Sequence, residues 1–128
     1  MANANAPGGF KPVKMQGSDV MTGGLETVYV PATDATALYI GDPVIKAGSA
    51  DANGVATVTR ATAGAAITGV VMGFTPDGTT NMVGYRAAST AGYVLCCTNP
   101  AQIYEIQEDS VGGALAAVDI GLNADFVV

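Results

Sequence analysis

The chain has 128 residues and a net charge of −6, and only 12% of its residues are charged. That length suits one domain that can bury a core without staples. Five dispersed cations make no phosphate-tracking patch, no apolar run reaches the roughly 20 residues of a membrane helix, and the lack of histidine removes Ser-His-Asp and Cys-His catalysis.

In chain order, residues 1–24 are rich in Ala, Asn, Gly and Pro and sustain no helical or strand period. They are expected to form an extended arm, with residues 25–128 as the folded body. The opening "MANANAPGGFKP" lacks the basic and apolar regions of a secretory signal, so synthesis in a cytoplasm is expected. Phe10, Val13 and Met15 give the arm apolar handles, and Lys11 and Lys14 are two of the chain's few cations. The arm is read either as a frayed terminus or as a clasp across a neighbouring subunit.

The body begins near Leu25. "ETVYV" (Glu26–Val30) and "TALYI" (Thr36–Ile40) have strand-type residues and end at Pro31 and Gly41. "PVIKA" and "VATVTR" flank the turn signal Asn53-Gly54 and are expected to pair as a hairpin with a longish loop. "AITGVVMGF" (Ala66–Phe74) is apolar on both parities, which predicts a strand covered on both faces, with Gly69 and Gly73 at bends or bulges. "PDGTT" is turn chemistry, "NMVGYRA" a weak strand and "GYVLCCT" a stronger one that ends at Asn99-Pro100. "QIYEIQED" (Gln102–Asp109) alternates, with Tyr104 and Ile106 on one face. "ALAAVDIGLNAD" offers one or two helical turns, and "FVV" reads as the start of a strand. The fold class predicted is all-β: a small β-barrel or sandwich with an extended N-terminal arm and at most one short helix near the C-terminus.

Reactive chemistry is sparse. The neighbours Cys96 and Cys97 read as small hydrophobes, one inside and one near a surface. Asp34, Asp42, Asp51 and Asp77 read as solvated turn residues, and "SADANG" does not complete a calcium loop. Glu105, Glu108 and Asp109 read as a guard on a strand edge. No catalytic residue, cofactor site or metal site is assigned, and neither nucleic acid nor membrane is an expected partner. A charge-poor surface suggests instead that a partner normally covers part of it.

Four stretches, taken together, resemble a family of tailed-bacteriophage virion proteins. They are "GGFKPVK", "YVPATDATALYIGDPV", "GVATVTRATAGAAITGVVMGF" and "YEIQEDSVGGALAAVDIGLNADFVV". The family pattern runs P-F-G-L-R-P-V, G-D-P-V, I-x-G-V-x-x-G-F, an E-V-Q-type strand and A-x-D-I-G-x-N-A-D. The matching residues are Phe10–Val13, Gly41–Val44, Ile67–Phe74, Asn99–Gln107 and Ala117–Asp125, in the same order. Two departures stand out: Asn99-Pro100 replaces an Asp-Pro, and relatives run on past N-A-D with a further β segment.

The resemblance implies a capsid decoration, or cement, protein on the outer surface of the virion, made in the host cytoplasm. It implies two partners, the major capsid protein and copies of the chain itself as trimers or dimers on local symmetry axes. Phe10, Lys11, Pro12, Val13 and Lys14 are the candidate contacts of an arm that bridges subunits. The competing expectations are another minor virion protein such as a head-fibre base, a cell-surface ligand-binding β module, and an enzyme.

Overall fold

A computed structural model of the chain describes residues 8–17, 24–76, 84–109, 111 and 113–127. The expected turn at Asp77 and the start of "NMVGYRA" fall outside these residues, as do the two ends of the arm. Among the described residues the fold is all-β, with a single 3-10 turn at Ala117–Asp119 where one or two helical turns were expected. The strands are β1 (Lys11–Met15), β2 (Glu26–Val30), β3 (Leu38–Tyr39), β4 (Pro43–Ala50), β5 (Ala56–Arg60), β6 (Gly69–Phe74), β7 (Tyr85–Arg86), β8 (Gly92–Cys97) and β9 (Gln102–Glu105).

Five strands close into a barrel in the order β2-β5-β4-β6-β8, with β8 returning to β2. All neighbours are antiparallel except β2 and β5, which are parallel and meet at Tyr29 and Thr57. Within β2, Val28 and Val30 point into the barrel and are buried, while Tyr29 between them is half-buried. The core is mostly valine: Val28, Val30, Val44, Val58, Val71 and Val94, joined by Leu38 and Cys96, with Phe74 packed against them. A barrel this narrow leaves room for β-branched side chains rather than aromatic ones.

Several elements depart from the predicted boundaries, each for a local reason. β3 covers only Leu38–Tyr39, because the Thr36 carbonyl is taken by Arg86 and the chain turns at Gly41 with φ of 95°. β9 stops at Glu105, opposite Lys11, which is where its partner β1 begins. In β6, Val70 and Val71 are both buried, as a strand covered on both faces requires, but Ile67 lies outside the strand and is 37% exposed. A bulge between Val71 and Gly73 shifts the register against β8. Phe126 extends no sheet; it folds back on Phe10.

The Asn53-Gly54 hairpin is held by Asp51. Its Oδ1 accepts the backbone N–H groups of Asn53 (2.9 Å) and Val55 (2.8 Å). Its Oδ2 accepts the Tyr93 hydroxyl of β8, and Asn53 Nδ2 donates to the same hydroxyl at 3.2 Å. Asp51 therefore ties the hairpin to the far strand instead of standing in solvent. The Tyr93 bond and the backbone donors lower the Asp51 pKa below 3.8, and the same bond raises that of Tyr93 above 10.0. A depressed carboxyl pKa contributes stability that is present above 3.8 and is lost as pH falls through the folded value. Tyr93→Phe is accordingly expected to be less stable than the parent near neutrality and to lose less on acidification. Urea midpoints taken between pH 6 and pH 2 check this; parallel curves would contradict it.

Arg86, one of the five dispersed cations, is fully buried. Its guanidinium donates to four main-chain carbonyls: Nε to Thr90 (2.6 Å), Nη1 to Thr36 (2.6 Å), and Nη2 to Pro31 (2.8 Å) and Asp34 (2.9 Å). The Asp34 carboxylate lies 3.8 Å from Nη1 and also accepts from Thr36 N–H and Thr59 Oγ1. Desolvation lowers the Arg86 pKa and the Asp34 charge opposes that shift. Asp34 is thus a structural anchor, not a solvated turn residue, and Arg86 joins the β2–β3 loop to the β7–β8 loop.

Candidate binding surface

β1 lies antiparallel to β9, outside the barrel. Lys11 stands opposite Glu105, Pro12 opposite Tyr104, Lys14 opposite Ile103 and Met15 opposite Gln102, with an irregularity at Val13. Gln102 is buried and donates Nε2 to the Lys14 carbonyl at 3.0 Å, while Gln16 N–H donates to the Ala101 carbonyl at 2.6 Å. The described part of the arm therefore forms a strand on its own chain, where the sequence sustains no strand period.

Two features fix this ribbon to the barrel. The first is a crossing of glycines. Phe10 N–H donates to the Gly41 carbonyl at 2.9 Å, and Gly41 N–H donates to the Val71 carbonyl of β6 at 2.8 Å. Gly9 and Gly41 have φ of 71° and 95°, and a Cβ on either would stand 2.7 Å from a backbone oxygen of the other strand of the crossing. The second is an aromatic hub. The Phe10 ring meets Tyr104 edge-on at 5.9 Å and Phe126 at 6.0 Å. The Tyr104 hydroxyl donates to the Cys97 carbonyl at 3.2 Å, and burial pushes its pKa up. Between hub and barrel lies a cleft of about 190 Å³, lined by Phe10, Ile67, Val70, Cys97, Pro100 and Tyr104 among others.

The five candidate contact residues divide between two tasks. Phe10 and Pro12 are half-buried and belong to the ribbon's attachment, whereas Lys11, Val13 and Lys14 are exposed. Ile103 and Ile106 add exposed aliphatic surface at 36% and 47%, beside Val13 at 47%. The alternation in "QIYEIQED" signals two faces for β9, but which of them β1 leaves open depends on a pairing that the local pattern does not show. Of the five cations Arg86 is buried and Arg60 half-buried, so Lys11 and Lys14 are two of the three that stand exposed; Lys46 on β4 is the third. The ribbon thus presents Lys11, Lys14 and aliphatic groups, with exposed Glu105 opposite Lys11, on a chain of net charge −6.

No protein-family model matches the chain, and neither a curated protein nor a solved structure does. Among the described residues no group of three or more His, Cys, Asp or Glu is placed to hold a metal ion. Both cysteines are buried, against the expectation of one near a surface. Cys96 faces the barrel core, and burial pushes its thiol up to about 12. Cys97 points to the other face of β8, where Gln102 and the aromatic hub cover it. A thiol held protonated and out of solvent, as that of Cys96 is, makes a poor nucleophile and a poor ligand.

Proposed function

We propose that the protein is a capsid decoration protein, which binds the outer face of a phage shell through the β1–β9 ribbon and braces it against internal pressure. One observation carries this reading: a mixed cationic and aliphatic ribbon, attached through glycine crossing and aromatic hub, on a charge-poor acidic body. Lys11 and Lys14 stand exposed on the ribbon with Glu105 opposite Lys11, so its contact with the shell is mixed polar and aliphatic. Small contacts repeated at many identical sites then add to the stability of the whole shell. The major capsid protein is the partner. The protein works by adhesion, with no chemical step, cofactor, nucleic acid or membrane in its action. The order of motifs along the chain supports the same assignment.

Emptied heads of the parent phage provide the test. Adding the protein is expected to raise the temperature at which the heads come apart, up to a saturating stoichiometry. An unchanged transition at saturating protein would overturn the reading.

A further inference from the structure

We propose that Asn53 is a site of deamidation that its contacts with Asp51 and Tyr93 hold shut, and that its conversion releases the β4–β5 hairpin from β8. The chain has six asparagines, and only Asn53 is followed by glycine. In such a pair the glycine nitrogen gives its proton to solvent and attacks Asn53 Cγ. The new C–N bond closes a succinimide ring, the bond from Cγ to Nδ2 breaks, and Nδ2 leaves as ammonia. Water then opens the ring to aspartate or isoaspartate. Nothing is oxidised or reduced, and water is the only co-reactant. Glycine favours the attack because it has no side chain to shield the nitrogen. Both residues are exposed, and nothing stands within 4 Å of the position a Cβ would take on Gly54.

The folded turn opposes each part of that step. Gly54 N–H donates to the Asp51 carbonyl at 3.1 Å, which keeps the proton on the nucleophile. Asp51 Oδ1 accepts the N–H groups on either side, from Asn53 and Val55, so a carboxylate stands beside the nitrogen that has to become an anion. The leaving group is held as well. Asn53 Nδ2 donates to the Tyr93 hydroxyl at 3.2 Å and to Asp51 Oδ2 at 3.5 Å. Tyr93 lies on β8, 40 positions along the chain, so only the folded barrel supplies this contact. The reaction therefore waits on local opening of the hairpin, which is more frequent than global unfolding.

Conversion is one-way. An aspartate or isoaspartate at this position cannot donate to the Tyr93 hydroxyl, and its carboxylate meets that of Asp51 where the amide stood. Like charges at that separation repel. The isoaspartate product also inserts a methylene into the backbone of the turn, which displaces the Asp51 N–H from the Val55 carbonyl that it reaches at 2.9 Å. Ammonia is lost to solvent, so a converted molecule stays converted and its hairpin stays loose.

The inference is independent of shell binding, and its test contains no shell. The full chain is held at mildly alkaline pH, native or unfolded in guanidinium chloride, and its tryptic peptide Ala47–Arg60 is read by mass spectrometry for loss of ammonia and gain of water. The unfolded chain is expected to convert fastest and the native parent slowest. Tyr93→Phe is expected to convert about tenfold faster than the native parent, because losing a hydrogen bond to a charged group raises the open fraction by about that factor. Gly41→Ala is the control: it is destabilised away from the hairpin and is expected to convert at the parent's rate. Asn53→Asp, which makes the product directly, is expected to unfold at a lower urea concentration than the parent at neutral pH. Equal rates in Tyr93→Phe and the parent, equal rates in Tyr93→Phe and Gly41→Ala, or a parental urea midpoint for Asn53→Asp would each overturn the inference and leave shell binding standing.

Discussion

Arg86→Ala is expected to cost about 3–5 kcal/mol, a large part of the stability of a domain this size. The substitution does more than remove a charge. It orphans the carbonyls of Pro31, Asp34, Thr36 and Thr90, leaves Asp34 facing an empty space, and opens a void beside the core. Arg86→Lys is expected to recover little, because an ammonium on a flexible stem cannot span four carbonyls as a planar fork does. Urea denaturation should show a lower midpoint at unchanged slope for both variants. A loss under about 1 kcal/mol for Arg86→Ala would mean that water replaces the guanidinium and that the two loops do not depend on it.

The second large effect is expected at Gly41. Gly41→Ala puts a methyl group 2.7 Å from the Gly8 carbonyl oxygen and 3.1 Å from Gly9 Cα, at a φ of 95° that an L-residue rarely adopts. Backbone strain and the forced separation together are expected to cost about 2–4 kcal/mol. The arm should suffer first, because Phe10 N–H donates to the carbonyl of Gly41 itself. Gly48→Ala is the control. Gly48 has a φ of 77° but nothing within 4 Å of the added Cβ, so it carries strain without a clash and is expected to cost about 1 kcal/mol. Trypsin should cut after Lys14 much faster in Gly41→Ala than in Gly48→Ala, since paired strands resist proteolysis. Equal cutting rates would show that the glycine crossing does not hold the ribbon.

Local pattern made much of the barrel legible. "ETVYV" has strand-type residues, ends at Pro31 and is β2 residue for residue; Asn53-Gly54 marks the β4–β5 turn; Gly73 sits at the bulge. These features depend on neighbours a few residues away, which a linear reading can see. Arg86 was not legible, because its partners are main-chain carbonyls of residues 31–36 and 90, and carbonyls leave no mark on composition. The β1–β9 ribbon was hidden for a related reason. "KPVKM" contains a proline and breaks register at Val13, and its partner is about ninety positions away. The burial of Cys97 follows from that same long-range cover. Phe10 to Lys14 were singled out as contacts, but their division into anchors and outward-facing groups required the pairing itself.

The central claim is that the outward face of the ribbon grips a shell. Lys11→Glu with Lys14→Glu reverses its charge at two exposed positions while leaving Phe10, Gly9 and Gly41 to hold it on the barrel. Cosedimentation with emptied heads of the parent phage, parent chain against this variant, is the most direct measurement. Saturable binding by the parent chain, weakened at least about tenfold in the variant and more sensitive to salt in the parent, is the predicted result. Equal binding by both chains would take the ribbon out of the contact, and no binding by either would contradict the account altogether.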